Sequence, residues 1–563
     1  MRYNTHKLLN DLPVFIIWGI VQEVRRYIMN KIRWMSLLMA FTLLFTCASV
    51  FAEPEENTLP IVTDGSVKLT FYMGMESGSE QAMATYDEHP AIITLEERTG
   101  VDITFMHPPA GDDGTYFNMV VASGEYPDVW ITTGFQDYYP GGIAQAIADG
   151  ILADPNTLID QYGYYFLQEA AKWDEATIKN MKTDEGTWRL GAASQREPVL
   201  GNEHQGMVIR KDWLEKYDLE VPVTLDDMTN VLRTFKENGV EIPFAAPELQ
   251  NGYWGDGVIS GAFGVVNDEF QLNEDGKTVT YSVLEPGYKE YLLYLKSWMD
   301  EGLIDRDFVN RTEEDARKLF TSGRAGVCFA GNWQTKELIT LGQVEDPEFD
   351  IMGISSLKPN DDPDFVNEFG QPIVNGTSMQ CWAISATSPY QKEAMKVLDY
   401  LYSYEGIELM VFGPEEWEGE VIHTTQEDGT RVFSDYILNN PNLAYNTIRY
   451  HYTIQALSSE YSSDMEAQQY NAPINAQCWE AWTKDLTNRR RIPAPASMTA
   501  EESTTYVNTM NTVRTFIREK INKIVCGDEP IDNWDGYVEQ LHDYGIDECI
   551  AIKQASFERY QAR

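Results

Sequence analysis

The sequence predicts an α/β fold built as two lobes, and three features carry that reading. Residues 66–133 alternate strand and helix patterns in the order β-α-β-α-β, which gives a largely parallel sheet covered by helices. Residues 325–330 (Ala-Gly-Val-Cys-Phe-Ala) are apolar throughout, as a strand buried on both faces must be. They follow a helix that carries Ala316, Leu319 and Phe320 on one face. The chain is 563 residues long with 43% hydrophobic residues, enough to fill two separate cores.

At the N-terminus, residues 1–28 match neither a domain nor a leader. Met29 opens a better leader: Lys31 and Arg33 form a basic start, residues 34–45 are apolar, and Val50 and Ala52 are the small residues a signal peptidase requires. Cleavage is expected after Ala52, with residues 1–52 forming leader and signal peptide. Residues 34–51 are also nearly long enough for an uncleaved anchor, and Cys47 for lipid attachment is the other alternative.

Residues 53–65 are a polar, acidic entry. The alternating stretch 66–72 is the first strand, and a loop through Glu76 lies at its carboxyl end. A helix over 89–99 closes at Gly100, 101–106 is the second strand, and 116–123 is helical. Pro127 and Asp128 then reverse the chain into a third strand over 129–133. A helix at 160–171 and an edge strand at 187–190 continue this lobe. A strand at 207–210 enters the second lobe, and Thr224 caps a helix over 225–237 whose first turn holds Asp226 and Asp227. Residues 251–257 (Asn-Gly-Tyr-Trp-Gly-Asp-Gly) are a glycine-rich aromatic loop. After a strand at 279–283, the long helix over 286–301 carries Tyr288, Tyr291, Leu292, Leu295 and Trp298 as a core stripe. Residues 346–375 contain four prolines and read as a linker. A strand at 381–385 returns to the first lobe, followed by a helix at 391–412, an acidic hairpin-like insert at 415–430, a partly helical stretch at 445–470, and closing helices at 501–525 and up to Tyr560.

The formal charge is −45, from 43 basic and 88 acidic residues. Such a field repels nucleic acid and anionic lipid. Six cysteines include no C-x-x-C pair. Cys47 lies in the leader; the other five read as small buried hydrophobes, with a Cys526–Cys549 bridge as the alternative. No G-x-S-x-G, H-E-x-x-H or Walker loop is present.

Several motifs, in order, resemble one family. They are G-x-x-P-D-V at 124–129, I-R-K-D-W-L-E-K-Y-x-L-x-x-P-x-T-L-D-D at 209–227, F-x-x-G-x-A running into G-x-W at 320–333, and S-P-Y-Q-K-E-A-M-K-V-L-D-Y-L-Y-S-Y-E-G at 388–406. With the closing G-D-E-P-I-D-N-W-D-G-Y-V at 527–538, they resemble the maltose-binding-protein-like extracellular solute-binding proteins of family 1, in their oligosaccharide-binding branch. The resemblance implies a periplasmic-binding-protein-like type II fold, two α/β lobes joined by a multi-segment hinge. Lobe 1 would comprise residues 53–195 plus 376–445, and lobe 2 residues 196–375 plus 446–563. It implies a secreted monomer that acts as no enzyme, uses no cofactor and passes a carbohydrate to the membrane permease of an ABC transporter. Some members carry a calcium loop after the helix at 225–237. Residues 235–243 lack the ladder of oxygen ligands that calcium needs, so no metal is expected there.

Ligands of open α/β sheets bind at the carboxyl ends of the strands. The expected stacking rings are Trp130, Trp254, Trp333 and Trp479, with Tyr253 on the glycine-rich loop. Residues 471–479 resemble the region lining the sugar groove in that family, where Trp479 or Trp482 would be the matching ring. Glu76, Thr133 and Asn332 are the expected hydroxyl partners. Trp333 as a core ring and Tyr253 as a surface turn are the structural alternatives. Two further functions remain open from sequence: a sensor-linked carbohydrate-binding protein, and a secreted glycoside hydrolase, which needs two carboxylates facing each other at about 5–9.5 Å.

Overall fold

The structure, a computed structural model, describes residues 54–563 apart from 81, 110–112, 133–134, 184, 193–204, 250–253, 255–256, 268, 371–380, 441, 444, 460–462 and 494–495. In chain order the strands of its two main sheets and of a small hairpin are β1 (Lys68–Met73), β2 (Asp102–Met106), β3 (Val129–Thr132), β4 (Gln205–Arg210), β5 (Ile242–Ala245), β6 (Phe270–Leu272), β7 (Val279–Tyr281), β8 (Ala325–Gly331), β9 (Ile351–Ile354) and β10 (Cys381–Ile384).

The first lobe is built on the sheet β10-β3-β1-β2. β1 runs parallel to both β2 and β3, while β10 returns antiparallel to β3. Helix α1 (Pro90–Thr99) connects the first two strands. His89 caps it by accepting from the Ala91 N–H, and Pro90 occupies the first turn, where a missing N–H costs nothing. Gly100 ends it at φ 71°, and a β-carbon there would meet the Val62 carbonyl at 1.9 Å, so only glycine fits. Asp128 of the Pro-Asp reversal accepts from the Thr70 N–H at 2.8 Å and the Ser388 hydroxyl at 2.5 Å. That motif therefore fastens β3, β1 and the returning segment together.

The second lobe is built on the sheet β5-β8-β4-β9, in which β8 is antiparallel to β4 and parallel to β5. A capping box of Thr312 and Asp315 starts α2 (Glu313–Thr321), which buries Ala316, Leu319 and Phe320. Every residue of β8 is buried, as its unbroken apolar run predicts. The chain turns from β8 straight into α3 (Asn332–Glu345). On the helix Pro286–Asp300, the stripe Tyr288, Tyr291, Leu292, Leu295 and Trp298 is fully buried. Each such side chain contributes on the order of 2–3 kcal/mol of burial free energy.

Two strands go beyond the sequence expectation. β5 begins Ile242-Pro243, where the sequence analysis assigns no strand; proline is tolerated because β5 is an edge strand. β9 lies inside the proline-rich span expected to be linker, and it too is an edge strand, only four residues long.

The chain passes between the sheets after residue 192, between β9 and β10, and again before the helix that starts at Pro473. Helix α4 (Tyr445–Tyr450) and the segment after it pack on the first lobe: Ile454 and Leu457 join the cluster of Leu401 and Met410, and Ile448 and Met465 join that of Phe412 and Phe433. From α5 (Pro473–Thr483) onward the chain packs on the second lobe, through α6 (Ala500–Cys526) and α7 (Ile546–Ala562). The end of α7 reaches back, where the Tyr560 hydroxyl meets Asn180 Oδ1 of the first lobe at 3.2 Å.

The five described cysteines are all free, so no Cys526–Cys549 bridge forms. Cys328, Cys478 and Cys549 are buried as small hydrophobes. The three successive arginines 489–491 are all engaged within the chain: exposed Arg489 pairs with Glu368, Arg491 with Glu269, and buried Arg490 donates to the Leu272 carbonyl.

Candidate functional site

The site grows from the carboxyl end of β1. Beyond Met73 the chain runs through Gly74 and Met75 to Glu76, whose backbone N–H donates to the Tyr86 hydroxyl at 2.8 Å. His107 fixes this loop from the side. Its Nδ1–H donates to the Met73 carbonyl at 2.7 Å, and its Nε2 accepts from the Tyr86 N–H at 3.1 Å. A second set of bonds ties the loop to α4. The Tyr450 carbonyl accepts from the Ser79 hydroxyl at 2.9 Å and from His89 Nε2–H at 3.2 Å. With Nδ1 committed to the Ala91 N–H, His89 is neutral, and burial holds its pKa down at about 3.

These contacts place Arg449 of α4 behind Glu76. Arg449 is 1% exposed; its guanidinium lies 4.2 Å from the centre of the Tyr450 ring. Glu76 Oε1 accepts from the Ala456 N–H at 3.3 Å, whereas Glu76 Oε2 is buried with no partner. Burial raises the Glu76 carboxyl to about pKa 7, opposed by the charge of Arg449 and by the N–H groups of Ala456 and Gln455. Asp399 makes the contrast. Burial raises it to about 6, but its two oxygens accept from Phe166 N–H and Asn57 Nδ2, both at 2.9 Å, which is a structural role.

Glu76 opens onto a cavity of about 160 Å³ whose walls include Tyr72, Met73, Ile131, Thr132 and Tyr138. Thr132 is 4% exposed and ends β3; its hydroxyl is buried without a partner. Glu76 and Thr132 thus both line one space at the strand ends, and each holds a buried oxygen without a partner beside it. A buried polar atom without a hydrogen bond costs roughly 1–3 kcal/mol, so a solute that supplies the bonds is favoured there.

The other lobe offers rings. A β-carbon at Gly331 would sit 2.5 Å from the Trp333 indole, so glycine lets this ring lie across the end of β8. Trp333 is half-buried, and its carbonyl accepts from Asn446 Nδ2 at 2.9 Å. Asn446 and Arg449 stand one turn apart on α4. One short helix thus touches Trp333 on one lobe and backs Glu76 on the other. Trp479 of α5 is also half-buried, and its indole N–H is buried without a partner. Trp482 is a core ring that donates to the Met207 carbonyl at 3.1 Å, which leaves Trp479 as the ring on that helix with a face to offer.

The remaining expected site residues lie elsewhere. Trp130 is fully buried, donates to the Ser385 hydroxyl at 2.8 Å, and packs with Tyr72 and Phe117, each at a ring separation of 5.3 Å. Trp254 is 3% exposed, donates to the Pro247 carbonyl at 3.1 Å and packs on Phe329. Both are core rings with no free face. Asn332 is turned into its own lobe, where its side chain and backbone exchange bonds with Asn475. Thr133 and Tyr253 lie outside the described residues. Arg449, Thr132 and Asn446 are site residues that sequence reasoning misses. The only signal for Arg449 is a lone cation in a tyrosine-rich stretch (Tyr445, Tyr450, Tyr452) of a strongly acidic chain.

Residues 79–408, more than half of the chain, match the family of bacterial extracellular solute-binding proteins. The chain is a bacterial extracellular solute-binding protein. Such proteins bind solutes without transforming them. This solute-binding protein is 25% identical over 430 residues to lipoprotein LipO of Bacillus subtilis, covering 73% of this chain and 77% of that one. It is 22% identical over 556 residues to the fructooligosaccharide ABC transporter substrate-binding protein FusA of Streptococcus pneumoniae, covering 92% and 94%. Among solved structures, the alginate-binding protein AlgQ2 without calcium superposes with a TM-score of 0.70 at 22% identity, over 89% of this chain and 99% of that one. FusA in complex with kestose does so with a TM-score of 0.70 at 19% identity, over 88% and 99%. These likenesses fix the type II two-lobed fold of this solute-binding protein. Among its described residues no group of three His, Cys, Asp or Glu is arranged to hold a metal ion, and no helix is long and apolar enough to cross a membrane.

Proposed function

We propose that this solute-binding protein captures a carbohydrate, an oligosaccharide, between its two lobes and delivers it intact to the membrane permease of an ABC transporter. The observation that carries the reading is the pairing of unlike surfaces across α4. On one side Glu76 and Thr132 line a cavity and each holds a buried oxygen without a partner; on the other Trp333 and Trp479 are half-buried indoles. A sugar is the solute that has both hydroxyls for the first and apolar ring faces for the second. The names of FusA and AlgQ2, which bind fructooligosaccharide and alginate, support the same class.

The ligand set is Glu76, Thr132, Trp333 and Trp479, with Thr133 and Tyr253 as further members from the sequence. Lobe 1 is taken as residues 53–195 plus 376–445, as the sequence suggests, extended to about 469 because Ile448, Ile454, Leu457 and Met465 pack in first-lobe clusters; lobe 2 is the remainder. Closure of the lobes around α4 would desolvate the sugar and strengthen each hydrogen bond. Stacking with a few buried hydrogen bonds supports an affinity near micromolar, about −8 kcal/mol. Cleavage of the leader after Ala52 would release the monomeric protein on the outer side of the membrane, whereas lipid at Cys47, the alternative, would hold it there beside the permease.

A thermal-shift panel of oligosaccharides tests the proposal. At least one glycan raises the melting temperature and is recovered uncut. A cut glycan, or no response from any glycan class, would overturn it.

A further inference from the structure

Two stretches of the second lobe, far apart in sequence, meet the first lobe side by side: the start of α6 and the end of α7. They are joined to each other. Thr499 and Glu502 form the capping box that starts α6. Arg559 of α7 donates to the two carboxylate oxygens of Glu502 at 2.9 and 2.5 Å, and to the Ser497 carbonyl at 3.0 Å. A guanidinium fork on a carboxylate is among the strongest side-chain pairings. α6 is anchored in the core of the second lobe by Tyr506, Met510, Val513, Ile517 and Ile521. The two helix ends therefore move as one block with that lobe.

The block touches the first lobe at two places. At one, α6 begins against Gly141. A β-carbon there would lie 2.8 Å from Ala500 Cβ and 2.9 Å from Ala500 Cα, and Gly141 has φ 86°, so glycine is what permits the approach. Gly141 precedes the helix Gly142–Ala148 and follows closely on Tyr138, a wall residue of the cavity. At the other, the Tyr560 hydroxyl donates to Asn180 Oδ1 at 3.2 Å, and Arg563 donates to the carbonyls of Lys179 at 3.3 Å and Lys182 at 2.9 Å. The Lys179 ammonium lies 4.4 Å from the centre of the Tyr560 ring. Met181 of the same segment is fully buried in the first-lobe core, so this seat is fixed to its own lobe.

We propose that residues 497–502 and 559–563 form an interlobe clasp that limits how far the lobes open before solute is bound. A hinge motion moves one lobe against the other, so every contact that crosses between them must break or slide. Here the crossing contacts are held by rigid elements on both sides, and opening breaks them together. By restricting the open population, the clasp raises the fraction of molecules ready to bind, and apparent affinity scales with that fraction. The clasp acts the same way whatever the solute, so it stands apart from the carbohydrate reading.

The test is small-angle X-ray scattering of the solute-free chain from residue 53 onward, parent against variants, with circular dichroism as the check of folding. Tyr560→Phe combined with Arg563→Ala removes the hydrogen bonds to the 179–182 seat and leaves both lobe cores intact. It should increase the radius of gyration and the maximum dimension at unchanged secondary structure. Ala500→Leu, which wedges the contact at Gly141, should increase both as well. Lys523→Ala cuts the exposed pair with Glu519, which lies within α6, and should leave the profile unchanged. A double variant whose profile superimposes on the parent's would overturn the proposal, because the contacts would then be close without restraining the lobes. Widening by Ala500→Leu alone would overturn it for the same reason, and so would an equal change in Lys523→Ala.

Discussion

Replacing Glu76 with glutamine should make this protein more stable at neutral pH, by an amount the structure sets. Burial raises the folded-state pKa of Glu76 from 4.5 to about 7. A group raised in this way contributes fully to stability below its unfolded pKa, and that contribution is lost as pH rises through the folded pKa. Between pH 4.5 and 7 the loss grows to at most about 3 kcal/mol, at roughly 1.4 kcal/mol per unit. Glutamine has the shape of the neutral acid and keeps an acceptor for the Ala456 N–H. Glu76→Gln should therefore match the parent at pH 4 and exceed it by up to about 3 kcal/mol at pH 8. Urea unfolding at pH 4, 6 and 8 reads this as a midpoint difference that is absent at pH 4 and opens as the pH rises to 8. A difference independent of pH, or a variant less stable than the parent at pH 8, would refute the reasoning. The same substitution should weaken the solute, and a residue that lowers stability while serving binding is what a functional site contains.

Four further outcomes follow. Arg449→Met removes the cation behind Glu76 and leaves a buried carboxylate uncompensated, so denaturation at pH 8 should show a loss of about 3–5 kcal/mol, reduced when Glu76→Gln is added. Ligand affinity, measured by calorimetry, should rise about tenfold from pH 6 to pH 8 as the Glu76 acceptor ionises near pH 7; a flat profile counts against the carboxylate as acceptor. Trp333→Ala should weaken the glycan at least tenfold by titration while the unfolding midpoint of the free protein shifts little, since the ring is only half-buried. Trp130→Ala and Trp254→Ala should do the reverse, losing about 3–5 kcal/mol in denaturation as large core truncations do.

The sequence exposes the lobes well because their strands are bounded runs. The stretch Ala325–Gly331 is apolar from end to end, and helices with caps such as Thr312 and Thr224 announce their starts. Edge strands are less visible. Pro243 argues against a strand until the neighbours are known, and β9 has too few residues to show a period. The site divides along the same line. Glu76 and Trp333 follow strand ends, which chain order alone locates. Trp130 looks equally well placed, yet all four residues of β3 are buried, so alternation along the strand does not tell an inward ring from a ligand-facing one. Arg449 and Thr132 acquire their roles through α4 and the cavity, which bring together segments far apart in sequence.

A crystal structure of the complex with the tightest oligosaccharide tests the central claim most directly. It should show sugar hydroxyls within about 3 Å of Glu76 Oε2 and Thr132 Oγ1, with the glycan running on across the Trp333 indole. A glycan bound away from α4, with those two oxygens still unpartnered, would contradict it.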